Sequence, residues 1–263
     1  MRLPVALTIA GFDSGGGAGI QADLKTFAAM GVHGTAAITA ITAQNTVTVT
    51  EIHEVPVRVI RAQIDAVVED IGVQAAKTGM LASSEIIEAV AAAIEAHAIR
   101  NLVVDPVMVA KGGARLLQSD AIAALYRYLL PLAAIVTPNL PEAEVLLGRP
   151  IATLAERCKA ARDLVALGPH AAVVKGGHAG GDATDVYWDG REMVELKARR
   201  IPTNNTHGSG CVFSAAIAAG LAKGESPLEA VRHAKAFITS AIEQSLELGK
   251  GHGPVNPTFA GRP

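Results

Sequence analysis

Short apolar runs alternate with longer amphipathic segments along most of the chain. In the segment 56–71, which begins with Pro56, the apolar residues recur at helical spacing. Short strands that alternate with such helices are typical of βαβ units around a mainly parallel sheet. The pattern predicts strands over 4–10, 35–41, 74–78, 101–105, 134–137, 171–175, 184–188 and 193–199, and helices over 17–30, 56–71, 84–98, 119–130, 153–167, 209–222 and 227–247.

Two further segments predict antiparallel additions at the sheet edges. The sequence TVTVTEIHEV at 46–55 alternates like a half-exposed strand, and YWDGR at 187–191 is typical of a hairpin turn. No repeat, linker or change of composition divides the chain. We therefore predict an α/β fold in a single domain over residues 1–263.

Composition and charge favour work on a small molecule. The 263 residues include 23 Lys plus Arg and 25 Asp plus Glu, with no basic block, so the chain lacks the clustered positive charge with which proteins bind nucleic acid or anionic membranes. The stretch 26–50 has no charged residue, but its seven threonines favour buried strands over a membrane span. Cys158 and Cys211, far apart in sequence, suggest neither a disulfide nor a zinc site, which fits a reducing cytoplasm.

The loops at the predicted carboxyl ends of the strands are polar and rich in glycine. Parallel α/β sheets bind ligands at this edge. The loop GFDSGGGAG at 11–19 is not a dinucleotide-binding motif, because Ile20 stands where glycine or alanine is required, and no Walker A sequence is present. Two interpretations of the loop remain open: a flexible lead into a helix, or a backbone that approaches a flat ligand closely.

The segment NNTHGSGC at 204–211 predicts an anion site. Small residues before the helix 209–222 would leave backbone N–H groups unpaired at the positive end of the helix dipole, where phosphate binds well. Cys211 in the first helical turn is expected to have a lowered thiol pKa, as a base or nucleophile requires. The alternative is that Cys211 is a small buried apolar residue.

Three charged residues at strand ends are candidates for phosphoryl chemistry. Asp105 and Glu142 could hold Mg²⁺, which often binds one or two carboxylates together with substrate phosphates, although each could also be a turn acid. Lys175 closes an apolar run and is well placed beside a phosphate, or it extends to solvent as a strand-end lysine. His178 and His207 lie in the same loops and are further candidates, whereas the six other histidines receive no assigned role.

Seven segments together resemble the hydroxymethylpyrimidine/phosphomethylpyrimidine kinase family of thiamine biosynthesis, a branch of the ribokinase-like superfamily. They are LTIAGFDSGGGAGIQADLKTFAAMGVHG, TAITAQNT, KTGML, VVDPVM, TPNLPEAE, VVKGGH and NTHGSGCVFSAAIAA. The resemblance implies a three-layer α-β-α sandwich and a cytoplasmic homodimer. It also implies transfer of the γ-phosphoryl group of ATP, with Mg²⁺, to 4-amino-5-hydroxymethyl-2-methylpyrimidine and then to its monophosphate.

The resemblance also implies roles for individual residues. Asp23 and Gln44 would hydrogen-bond the aminopyrimidine edge, and Ala10, Gly11, Met80 and Val107 would shape the ring pocket. On the phosphate side, Asn139 and Glu142 would form an NxxE magnesium motif, supported by Asp105. Lys175 and Thr206 would lie near the phosphates. The anion loop would consist of Gly208, Ser209, Gly210 and Cys211.

Cys211 stands where most of the superfamily has an aspartate base. A phosphate monoester acceptor is already anionic, whereas an alcohol must lose a proton. We therefore hypothesise that Cys211 matters more for the first phosphorylation than for the second.

Three other functions remain as alternatives. A pyridoxal kinase of the same superfamily would also phosphorylate a hydroxymethyl group on a flat aza-aromatic ring. A non-catalytic relative would bind such a ligand without consuming ATP. A cysteine hydrolase would need a histidine that orients Cys211, for which His207 is the nearest in sequence.

Overall fold

The computed structural model describes residues 3–108, 116, 120–177 and 181–259. Residue 119, where the fourth helix was predicted to begin, and His178 lie outside the described residues.

Within these ranges, nine strands form one sheet in the order β3-β2-β1-β4-β5-β6-β7-β8-β9. The six strands from β2 to β7 in this order run parallel, which confirms the predicted parallel core. Antiparallel strands extend it at both edges, as predicted. The strands are β1 (Val5–Asp13), β2 (His33–Gln44), β3 (Val49–Glu54), β4 (Ala75–Thr78), β5 (Leu102–Val104), β6 (Ile135–Val136), β7 (Ala171–Val174), β8 (Asp185–Trp188) and β9 (Met193–Leu196).

Helices cover both faces of the sheet and complete the predicted three layers. One face packs against α2 (Val57–Asp70), α3 (Ser84–Ala96), α4 (Ala121–Ala124), α5 (Leu140–Leu147) and α6 (Leu154–Val165). The other packs against α1 (Gly19–Ala29), α7 (Ser209–Ala222) and α8 (Pro227–Glu243). Alternate residues of the central strands enter the two cores, as Leu7 and Ala6 do on β1. Every residue of α7 from Val212 to Ala222 is buried, so this helix lies inside the protein.

The structure differs from the predicted elements in several places. In place of the single helix predicted over 119–130, the short helix α4 is followed by a π-helical turn, Leu125–Leu129, and a 3₁₀ turn, Leu130–Leu132. β1 and β2 each extend three residues further than predicted, to Asp13 and Gln44.

Helix α5 is absent from the pattern prediction. Its first turn is a capping box, in which the Asn139 side chain accepts a hydrogen bond from the backbone N–H of Glu142 and the Glu142 side chain accepts one from the N–H of Asn139. Gly148 ends the helix in the left-handed conformation, with φ of 63°. The capping box and Gly148 thus define the helix, because the apolar pattern between them is too short to predict one.

A buried ion pair joins α1 to the centre of the sheet. Lys77 Nζ on β4 lies 2.9 and 3.1 Å from the two carboxylate oxygens of Asp23 on α1, and Thr8 Oγ1 donates to the same carboxylate at 2.6 Å. Both charged side chains are fully buried. Burial alone would lower the pKa of Lys77, but the Asp23 carboxylate raises it above its usual value, so the lysine is charged at neutral pH.

We expect Lys77→Met to lower the free energy of unfolding by about 3 to 5 kcal/mol, because it leaves Asp23 buried without its countercharge. The double variant Lys77→Met with Asp23→Leu should recover most of that loss. Urea unfolding measures both. Arg199→Met, which removes an exposed partner of Glu243, is the control and should cost less than about 1 kcal/mol. A single variant as stable as the control would contradict the expectation.

Candidate functional site

The carboxyl ends of the parallel strands and the start of α7 enclose one cavity of about 620 Å³. This edge of the sheet is where the sequence analysis placed the ligand site. The cavity brings together fourteen of the predicted site residues: Ala10, Gly11, Gln44, Met80, Asp105, Val107, Asn139, Glu142, Lys175, Thr206, Gly208, Ser209, Gly210 and Cys211.

The fifteenth predicted site residue, Asp23, does not reach the cavity. Its side chain is fully buried in the ion pair with Lys77. The pair lies behind the cavity wall, since a Cβ atom on the wall residue Gly79 would lie 3.0 Å from Lys77 Nζ. The expectation that Asp23 hydrogen-bonds a ligand directly is therefore corrected: its oxygens are used by Lys77 and Thr8.

One half of the cavity is formed by the ends of β1, β2 and β4. Gly11 approaches Met80 so closely that a Cβ atom at position 11 would lie 3.2 Å from the Met80 sulfur. Gln44 Oε1 accepts a hydrogen bond from Thr42 Oγ1 at 3.1 Å, while its Nε2 has no hydrogen-bond partner in the part of the chain that the structure describes. This half of the cavity thus offers a slot with an amide donor and acceptor at its edge.

The start of α7 forms the other half. Gly208 precedes the helix with φ of 77°, and a Cβ atom there would lie 1.8 Å from the carbonyl oxygen of Gly17, so only glycine fits. Ser209 donates its N–H to Thr206, but within the described ranges the N–H groups of Gly210 and Cys211 have no hydrogen-bond partner. We call residues 208–211 the amide cradle. Its unpaired donors and the helix dipole favour an anion.

A lysine and two carboxylates lie beside the amide cradle. Lys175 Nζ contacts Asp105 Oδ1 at 2.9 Å, and a Cβ atom on Gly210 would lie within 3.5 Å of both side chains. Burial raises the pKa of Glu142 to about 7; the Lys175 ammonium opposes that rise, and the Asp105 carboxylate adds to it. Two carboxylates that repel each other at the edge of the cavity are a donor set that suits a hard divalent cation.

Cys211 does not have the lowered thiol pKa that its position at a helix start predicts. Burial raises its pKa to about 11, and the favourable charge of Lys77 is offset by Asp23 and Asp105. The thiol is protonated at neutral pH. The raised pKa disfavours the role of a selective first-step base.

Sequence reasoning missed the part played by Asp13 and His207. The Asp13 carboxylate accepts hydrogen bonds from the N–H groups of Gly15, Gly17 and Ala18 and from His207 Nε2 at 2.9 Å. Burial alone would raise the pKa of Asp13, but these donors lower it below its usual value. An aspartate two residues before a glycine run is a turn signal, and it could have been used here.

Comparison with known proteins gives one consistent family. A family model described as phosphomethylpyrimidine kinase matches residues 13–256. A Rhizobium meliloti protein named hydroxymethylpyrimidine/phosphomethylpyrimidine kinase is 54% identical over 256 residues, 96% of each chain. A thiamine biosynthesis bifunctional protein of Geobacter sulfurreducens is 50% identical over 97% of this chain and 52% of its own length. The solved ADP complex of Bacillus subtilis pyridoxal kinase has a TM-score of 0.93 and 42% identity over the whole of both chains.

No helix among the described residues has the length and apolar character needed to cross a membrane.

Glu142 predicts a specific pH dependence of stability. Its pKa of about 7 in the folded protein lies above the unfolded value, so its favourable contribution holds below about pH 4.5 and is lost as the pH rises through 7. Glu142→Gln, which cannot ionise, should gain about 1 to 3 kcal/mol relative to the parent between pH 5 and pH 8 in metal-free buffer. Urea unfolding at both pH values measures the gain.

Glu88→Gln, at an exposed position on α3, is the matched control and should show the same difference from the parent at both pH values. If Glu142→Gln behaves as this control does, the electrostatic description of the site is wrong.

Proposed function

Because the chain belongs to the phosphomethylpyrimidine kinase family, we propose that it transfers the γ-phosphoryl group of ATP to the hydroxymethyl oxygen of 4-amino-5-hydroxymethyl-2-methylpyrimidine, and then to the resulting monophosphate. These steps belong to thiamine biosynthesis. The observation that carries the proposal is the single cavity in which a slot for a flat ring, at the ends of β1, β2 and β4, adjoins an unpaired amide cradle.

The ring would bind in the half of the cavity lined by Gly11, Met80 and Val107, with the backbone at Ala10 at its base. Gln44 suits the aminopyrimidine edge, because its oxygen accepts from an exocyclic amine while its nitrogen donates to a ring nitrogen. Asp23 contributes indirectly, because it holds Lys77 in place behind Gly79, a residue that lines the same slot.

The phosphates of ATP would bind at the amide cradle and Lys175, with Asn139 and Thr206 on the nucleotide side of the cavity. Asp105 and Glu142 fit Mg²⁺, which when bound would neutralise charge on the phosphates. Phosphoryl transfer requires mainly positioning and stabilisation of charge. Lys175, held by Asp105, places a fixed positive charge beside the amide donors where negative charge develops.

If Cys211 is protonated and does not act as a base, its replacement should affect the two acceptors differently from the way that loss of a base would. Because phosphoryl transfer passes through a loose transition state with little bond formation to the acceptor, the alcohol need not be deprotonated first. Cys211→Ala should then lower kcat/KM for the alcohol and for its monophosphate by similar factors, within about threefold of each other. Steady-state kinetics with both acceptors measures this. A loss of kcat/KM that is at least tenfold larger with the alcohol than with the monophosphate would support Cys211 as the base instead.

The decisive assay couples ADP release to a spectroscopic signal, with the pyrimidine alcohol, its monophosphate and pyridoxal as acceptors in turn. We expect turnover of the first two, with kcat reduced about 100-fold or more by Lys175→Met, which removes the cation but keeps the apolar stem. Arg199→Met, remote from the cavity, should leave the rates unchanged. Phosphorylation of neither pyrimidine would overturn the proposal.

Pyridoxal kinase activity is the second candidate. It is favoured by the similarity to Bacillus subtilis pyridoxal kinase over the whole chain. The same assay decides it, because an enzyme specialised for pyridoxal would turn over that acceptor faster than either pyrimidine. The hydrolase alternative loses its support, since burial raises the thiol pKa of Cys211 and no hydrogen bond among the described residues joins His207 to Cys211.

The homodimer, the cytoplasmic location and the single domain over residues 1–263 stay predictions. We propose β3 as the place to seek a dimer contact, because this antiparallel edge strand is largely exposed along its length.

A further inference from the structure

Asp13 and His207 join the two halves of the cavity. Asp13 is the last residue of β1, on the side of the ring slot, and His207 directly precedes the amide cradle. Their side chains meet at 2.9 Å between Oδ2 and Nε2, and both residues are buried. Because an ionised carboxylate only accepts, His207 Nε2 carries the proton in this bond.

The glycines beside this pair bring the two halves into close contact. A Cβ atom on Gly17 would lie 2.4 Å from the His207 ring, and one on Gly208 would lie 1.8 Å from the Gly17 carbonyl oxygen. The Asp13 carboxylate also binds the N–H groups of Gly15, Gly17 and Ala18. One side chain therefore fixes the glycine loop and the start of the amide cradle together.

The backbone of His207 is held separately from its imidazole. Its N–H donates to the carbonyl of Gly253 and its carbonyl accepts from the N–H of Val255, both at 3.1 Å. Replacing the imidazole thus leaves the main chain anchored to the C-terminal segment. The imidazole's own contribution is the link to Asp13.

We propose that Asp13 and His207 form a positioning pair that sets the placement of the ring slot relative to the amide cradle. The inference rests on the proposed function. Each half binds its own substrate through other groups, Gln44 on one side and Lys175 with the amides on the other. Loss of the link therefore acts on the approach of the two substrates, which must bring reacting atoms to about 3 to 3.5 Å.

Two substitutions of His207 separate this role from a structural one. His207→Gln keeps an N–H donor near the position of Nε2, whereas His207→Phe keeps the ring without a donor. In the ADP-release assay we expect His207→Phe to lower kcat about 10- to 100-fold with both KM values within about threefold of the parent. His207→Gln should retain kcat within about fivefold.

The matched control is the remote histidine–carboxylate pair of His97, directly after α3, and Asp65 on α2, which are 2.6 Å apart. His97→Phe should leave kcat unchanged. If His207→Phe does not fold, Asp13→Asn, which keeps the side-chain shape and removes its charge, takes its place with the same expected split.

Parent enzyme that fails to phosphorylate the pyrimidine alcohol overturns the proposed function itself. If the parent enzyme is active, three results would overturn the positioning pair alone. They are equal effects of His207→Gln and His207→Phe, an unchanged kcat in His207→Phe, and a loss in His207→Phe that lies in KM instead of kcat.

Discussion

The site depends on where helix α7 begins. Its body, from Val212 to Ala222, is buried between the sheet and the helices α1 and α8, so it cannot shift along its axis without breaking the core. Its first turn consequently lies fixed at the carboxyl edge of the sheet, with the N–H groups of Gly210 and Cys211 unpaired among the described residues. Donors at a helix start that no protein group satisfies can be satisfied by water or by a ligand that supplies the acceptor. The apolar core thus fixes the position of hydrogen-bond donors that border the cavity.

Charge is distributed around this helix start in two layers. The outer layer, Lys175 with Asp105 and Glu142, borders the cavity and has more acid than base, which is the condition for binding a cation. The inner layer, Lys77 with Asp23, is sealed behind Gly79 and balanced. Cys211 interacts with both layers, and its environment favours the neutral thiol over the thiolate.

Most of the fold could be predicted from the sequence, because period and length separate its strands from its helices. Helix α5 could not be predicted in this way: its signal lies in the reciprocal hydrogen bonds of Asn139 and Glu142 rather than in apolar spacing. The rule for parallel sheets predicted the edge at which the site lies, and the family resemblance supplied individual residues such as Gln44 and Met80. Fourteen of the predicted residues line one cavity. The failures share one cause. Asp23 pairs with Lys77, 54 positions away, and Asp13 with His207, 194 positions away, and no local pattern shows such partners.

The most direct test of this account is a crystal structure with a non-hydrolysable ATP analogue, Mg²⁺ and the pyrimidine alcohol. The account predicts that oxygens of the terminal phosphate accept hydrogen bonds from the backbone N–H groups of Gly210 and Cys211, with the ring lying against Gly11 and Met80. A terminal phosphate bound away from these amides, or a ring held outside that slot, would contradict it.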